Sequence, residues 1–216
     1  MYTAYYCYDA LCGWCFGFSP VVKKLVDQYK DKIFFEVLSG GMIPKESARP
    51  IGVTAKYILQ EYPRVEEMSG VRFGEDFLWH LKNPEQSDWH LHSEKPAIAL
   101  CIFKEQFPEQ QVQFAADLQN ALHVEGRDLT DDEAYRHLLK KYTMNADDFY
   151  KKLHSETYIK KAHYEFALCQ QLQVTGFPAL LLQTAESKFY LLARGYTSFD
   201  NVKASIENIL TEVNAG

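Results

Sequence analysis

The sequence predicts an α/β protein: a four-stranded mixed sheet flanked by helices and interrupted by a large all-helical insertion. Two observations carry this prediction. Strand-type runs of aromatic and apolar residues lie near both ends of the chain, at 2–9, 32–38, 178–183 and 188–194. Between them, from about residue 50 to 167, helix caps and helical spacing recur, with no repeat, low-complexity tract or Gly/Ser linker. The implied organisation is a sheet-bearing unit built from 1–49 and 168–216, with 50–167 inserted as a helical module.

The elements follow in order. The run YTAYYCYD (2–9) reads as a strand, and helical spacing begins after it, with Val21, Val22, Leu25, Val26 and Tyr29 on one stripe and Pro20 near the start. KIFFEVL (32–38) is the second strand, closed by Gly40 and Gly41. A β-α-β order implies two parallel strands joined by a crossover helix. In the insertion, KPAIALCIFKEQ and QVQFAADLQNAL read as helices, the first with proline in its opening turn. Thr130 with Glu133 reads as a capping box ahead of Tyr135, Leu138 and Leu139. Asn145, followed by Asp147 and Asp148, opens a further helix with acids at the positive end of its dipole. PALLLQ (178–183) and KFYLLAR (188–194) form an antiparallel hairpin. Ser198 then caps a last helix that buries Val202, Ile206, Ile209, Leu210 and Val213. For the four strands to share one sheet, the two ends of the chain must meet.

Bulk composition narrows the function. With 216 residues, 47% hydrophobic and 24% charged, the chain can bury a sizeable core. Its formal net charge of −6 is spread along the chain, which argues against a nucleic-acid partner. No run approaches the ~18 apolar residues of a membrane span. The start, MYTAYYCYDA, lacks a basic segment followed by an apolar one, so the cytoplasm is the expected compartment. Five cysteines make an odd set rather than a disulfide framework.

Two of those cysteines carry chemistry. Cys12 and Cys15, with Gly13 and Trp14 between them, stand where the first strand ends and the helix begins. The unpaired N–H groups of the first turn and the positive end of the dipole favour thiolate over thiol at Cys12. One helical turn separates the two side chains by about 5–6 Å, within reach of a reversible disulfide. Cys12 is then the exposed nucleophile and Cys15 the buried resolving thiol. The competing readings are a zinc site and two ordinary core thiols. Zinc needs about four ligands, whereas the chain has no second CxxC and only the isolated His90/His92 pair, so no metal is expected. Cys7, Cys101 and Cys169 read as buried thiols. Pro178, at the mouth of an apolar strand, reads by itself as an edge proline.

Taken together, DALCGWCFGF (9–18), LSGGM (38–42) and VTGFPALLL (174–182) resemble the thioredoxin superfamily. The likeness is to its DsbA-like branch, in which a helical domain interrupts the thioredoxin fold, and within that to the FrnE-type cytosolic oxidoreductases. The resemblance covers the layout of nearly the whole chain and rests on those three stretches. It implies that Cys12 and Cys15 are catalytic and that Pro178 is a cis proline beside them. Such a proline leaves the main chain of Phe177 free to pair with an extended substrate peptide. Trp14, Phe177 and Pro178 are therefore the candidate substrate-binding residues. Trp14, Phe16 and Phe18 read equally as an apolar docking rim or as packing; for Tyr57, Trp79 and Trp89, core placement is favoured over a cleft lining.

The chain departs from the pattern in two places. DsbA has a histidine inside its CxxC; Gly13 and Trp14 add no cation, which predicts a more reducing couple. Tyr6 occupies the place where thioredoxin-like proteins often bury an acid, which leaves Asp9 and Glu36 as candidates for proton transfer or for a structural role. The expected activity is reduction or isomerisation of protein disulfides through a mixed disulfide. Disulfide-containing or unfolded polypeptides are the expected partners, and the recycling partner is not specified. No dissociable cofactor is expected beyond the Cys12/Cys15 couple, with glutathione as a candidate co-substrate. The alternatives are an enzyme like kappa-type glutathione transferases or 2-hydroxychromene-2-carboxylate isomerases, and a peptide-binding chaperone or redox-sensing partner protein.

Overall fold

A computed structural model describes residues 1–215. The strands are β1 (Tyr2–Tyr8), β2 (Ile33–Ser39), β3 (Ala179–Ala185) and β4 (Lys188–Arg194). Helix α1 (Gly13–Tyr29) crosses from β1 to β2. Between β2 and β3 run α2 (Gly52–Ser69), α3 (Glu75–Lys82), α4 (Glu94–Gln106), α5 (Gln111–His123), α6 (Arg136–Lys141), α7 (Ala146–Leu153) and α8 (Glu156–Gln171). Helix α9 (Phe199–Ala215) closes the chain.

The sheet order is β2-β1-β3-β4. β1 pairs parallel to β2, with Tyr6 opposite Val37, and antiparallel to β3, with Tyr6 opposite Leu180. The β3–β4 hairpin is antiparallel. The two ends of the chain therefore meet in one mixed sheet, as the strand pattern requires. Alternation sorts the side chains: Ala4, Tyr6 and Tyr8 enter the main core with Phe18, Val22 and Leu25 of α1. Cys7, Leu38, Ala179 and Leu181 form a smaller apolar cluster on the other face, with Cys169 of α8.

The outer edge of β2 is closed by side chains from the helical segments rather than by a fifth strand. Gln111 of α5 accepts the Val37 N–H at 2.8 Å, and Glu165 of α8 accepts the Ser39 N–H at 2.9 Å. Lys104 of α4 donates to the Val37 carbonyl and bridges Glu36 and Glu165, each at 2.7 Å. Burial opposes the ammonium of Lys104, but the two carboxylates outweigh it and hold its pKa above the ordinary lysine value. Glu36 is committed here, on the β2 edge, and makes no hydrogen bond to the dithiol.

Most element starts and caps follow the sequence. Asn145 accepts from the Asp148 N–H, and Ser198 accepts from the Asn201 N–H. One cap moves. Thr130 turns its hydroxyl onto Asp128, and Asp131 instead caps the short 3-10 turn at 132–135 by accepting from the Glu133 N–H. Asp128 supplies a nearer oxygen, so the threonine is used locally. α1 runs unbroken through the exposed Pro20.

Candidate active site at the head of α1

Cys12 is the N-cap of α1. Its Sγ accepts from the Cys15 N–H at 3.2 Å, which places the sulfur on the unpaired donors of the first turn. The thiol in turn donates to the carbonyl of Phe177 at 3.6 Å. The Phe177–Pro178 peptide bond is cis. The structure thus brings Cys12 against the carbonyl that precedes Pro178, 165 residues away in sequence, through the β1–β3 pairing.

Cys12 is not exposed as the sequence suggests but buried at the cavity, with 7% of its surface accessible; Cys15 is fully buried, and all five cysteines are unbridged thiols. Burial pushes the Cys15 thiol well above its ordinary pKa, with the neighbouring Cys12 and the charge of Asp9 acting in the same direction. The Tyr6 hydroxyl donates to the Cys15 carbonyl at 3.4 Å, so it steadies the turn and does not touch the thiol. Cys7, Cys101 and Cys169 are buried, as their surroundings in sequence indicate. Burial, followed by the nearby Glu165 carboxylate, raises the pKa of Cys101.

A cavity of about 490 Å³ opens beside Cys12, between the sheet and the helical segments. Leu11, Cys12, Trp14 and Phe177 form one side; Met42, Ile51 and Tyr57 contribute to the other. The lining is largely apolar, and its one ionic side chain is Arg49. Trp14 is held in place by the guanidinium of Arg64, 5.9 Å from its ring, and by Tyr196 at 6.4 Å between ring centroids. Phe16 and Phe18 do not reach this rim: both are buried in the core. Trp89 is also core, whereas Tyr57 is 63% exposed on the cavity mouth and Trp79 is 43% exposed elsewhere.

Gly40 explains how Phe177 fits. A Cβ at that position would lie 2.0 Å from Cζ of the Phe177 ring, so only a residue without a side chain lets the ring settle. Asp9 is buried and not solvated: its carboxylate accepts the N–H groups of Leu11 at 3.0 Å and Met42 at 2.8 Å. Sequence reasoning missed the loop at 42–51, Ser93, Gln119 and His123 beneath the site. One signal was available, since Gln111, Gln119 and His123 occupy buried positions along α5 at multiples of four residues. Among the described residues, no group of three or more His, Cys, Asp or Glu side chains is placed to hold a metal ion.

A β-α-β unit whose crossover helix starts at Cys12, paired with a β-hairpin entered through a cis proline, makes the mixed four-stranded sheet of a thioredoxin-fold protein. Residues 6–207 match the model of the DSBA-like thioredoxin domain, and the chain belongs to that family. The cytosolic disulfide reductase DsbM from Pseudomonas aeruginosa shares the fold, with a TM-score of 0.77 at 23% identity over 97% of this chain and 98% of that one. A second DsbM structure, with GSH, gives a TM-score of 0.78 at 22% identity, covering 97% and 99% of the two chains. A 2-hydroxychromene-2-carboxylate isomerase gives a TM-score of 0.66 at 13% identity over 99% and 98%. The ClpXP adapter protein SpxH of Bacillus subtilis is 21% identical over 173 residues, which is 80% of this chain and 55% of that protein. The chain thus spans about half the length of the curated relative it matches.

Proposed function

We propose that the protein exchanges thiols and disulfides with polypeptide substrates, as a reductase or isomerase, through Cys12 and Cys15. One observation carries this reading: the Cys12 sulfur lies on the N-terminal donors of α1, 3.6 Å from the Phe177 carbonyl, at the mouth of an apolar cavity. The Cys12 thiolate attacks one sulfur of a substrate disulfide, and the other sulfur leaves as a thiolate that takes up a proton. Cys15 then loses its proton and attacks the Cys12 sulfur, which releases the second substrate thiol and leaves a Cys12/Cys15 disulfide. Once Cys12 is in the mixed disulfide, its share of the opposition to a Cys15 thiolate is gone, which favours that second step. The main chain of Phe177, whose carbonyl loses its thiol donor once Cys12 reacts, and the ring of Trp14 serve to hold an extended peptide.

Glutathione is the small thiol we assign to reduction of the resulting disulfide, consistent with the GSH-containing DsbM structure. We place the activity in the cytoplasm, on the odd cysteine count and on the description of DsbM as cytosolic. The isomerase fold likeness leaves a glutathione-dependent enzyme as the second reading, and the presence of both cysteines favours exchange over it. The adapter relative supplies a third, non-enzymatic reading.

The test is insulin reduction with the purified full chain and glutathione. Cys12→Ser is expected to abolish turnover, and Cys15→Ser to accumulate a mixed disulfide visible by mass spectrometry without reducing agent. Full turnover in Cys12→Ser overturns the reading. Polypeptide binding that survives loss of both cysteines, with no exchange in the wild type, favours the adapter-like reading.

A further inference from the structure

We propose that Asp9 is a positioning residue: its carboxylate fastens the turn presenting Cys12 to the loop that walls the cavity, and so sets affinity for polypeptide substrates. This inference rests on the exchange reading above. Asp9 is 1% exposed, and among the described residues no cation forms an ion pair with it. Burying an unpaired carboxylate is unfavourable, so the fold must compensate it with hydrogen bonds. The donors come from both walls of the cavity. Oδ1 accepts the Leu11 N–H at 3.0 Å, one residue before the nucleophile, and Oδ2 accepts the Met42 N–H at 2.8 Å, in the loop that follows β2. Leu11 and Met42 both line the cavity.

The joint extends into the helical segments. The Asp9 carbonyl accepts the Cys12 N–H at 3.1 Å and Nε2 of Gln119 on α5 at 3.4 Å. Ser93, which precedes α4, exchanges two bonds with Ile43: its N–H donates to the Ile43 carbonyl at 2.9 Å, and its Oγ accepts the Ile43 N–H at 3.0 Å. Ser93 thereby ties the loop that carries Met42 to the start of α4. The Leu11 and Met42 N–H groups both donate, so these bonds favour the carboxylate against the burial that opposes it. An asparagine would turn an NH₂ group against one of these donors. Both oxygens are engaged by N–H groups, which assigns Asp9 to holding two loops in register rather than to accepting the Cys15 proton.

The experiment compares two substrates on the same enzyme: insulin, whose chain is long enough to contact both Leu11 and the loop at Met42, and hydroxyethyl disulfide, which is too small and polar to depend on that apolar lining. In Asp9→Asn, KM for insulin is expected to rise roughly tenfold, in line with the loss of one charge-assisted hydrogen bond. The ratio of kcat/KM for insulin to that for the small disulfide then falls by about the same factor. Ser93→Ala, which leaves every charge in place, is expected to move the ratio in the same direction by about threefold. A folded Asp9→Asn with an unchanged ratio overturns the proposal, including the case in which both rates fall in parallel because active protein is lost. If Asp9→Asn does not fold, an unchanged ratio in Ser93→Ala overturns it. A wild type inert toward both disulfides instead overturns the exchange reading.

Discussion

At the scale of single residues, the candidate site depends on close contacts between segments distant in sequence. The Phe177 ring lies where a Gly40 side chain would be, while the Phe177 carbonyl accepts from Cys12. Gly40→Ala is therefore expected to destabilise the protein by about 1–3 kcal/mol, the usual range for overpacking a filled site. The same substitution in a Phe177→Ala background should cost little, because the obstructing ring is gone. Urea denaturation of the four proteins in this cycle measures the coupling directly. Equal costs in the two backgrounds would show that Gly40 is needed for something other than the ring. Cys12 and Cys15 were legible because their chemistry and spacing are local, whereas Pro178 by itself read as an edge proline and gained its place beside them only through the family resemblance. The sequence did not reveal the contact of Gly40 with Phe177, since neither residue carries a pattern that names its partner.

At the scale of elements, strands and helix caps were readable because alternation and capping act within a few residues. The treatment of the β2 edge was not, because its three capping side chains come from α4, α5 and α8. Unpaired strand edges invite further pairing, and natural sheets cover or charge them. Here Glu165 does three jobs: it accepts the Ser39 N–H and the Cys101 thiol, and it pairs with Lys104, whose side chain is 13% exposed. Glu165→Leu leaves that amide without a partner and Lys104 with Glu36 as its remaining carboxylate. The expected loss of stability is about 3 kcal/mol, as for removal of one member of a buried pair. Hydrogen exchange at the Ser39 amide should accelerate in the native state. A loss below about 1 kcal/mol, with Ser39 still protected, would mean that another side chain such as Gln111 takes over the role.

For the whole molecule, the helical segments are joined to the sheet beneath Cys12, and that joint gives folding a distinctive pH dependence. His123, the last residue of α5, is fully buried among the rings of Phe16, Phe73 and Phe77, with centroids 5.0–5.4 Å away. Neither ring nitrogen has a well-formed hydrogen bond. Burial therefore pushes its pKa down to about 3, with the Ala10 carbonyl a weaker opposing influence. In the unfolded chain the ring titrates near 6.5. Between these values the unfolded chain holds a proton that the folded chain does not, so stability falls as the pH drops through this window. The slope attributable to His123 is about 1.4 kcal/mol per pH unit. Asp9 acts in the opposite sense, because burial raises its pKa and folding then favours the protonated form. Hydrogen bonds and charges from lysine and histidine lower Asp132 and Glu94 against the opposing effect of burial, so their contribution is lost only at lower pH, as they protonate. The partly buried His80, His92 and His137, each lowered chiefly by burial, share the direction of His123. The decisive comparison is accordingly between the wild type and His123→Phe, which keeps a ring in the aromatic box and removes the titration. Urea midpoints at pH 6.5, 5.5 and 4.5 should fall more steeply in the wild type, by roughly one proton's worth of slope. Parallel curves would mean that the box opens to admit water before the ring is protonated. The joint between α5 and the turn carrying Cys12 would then be looser than its packing indicates.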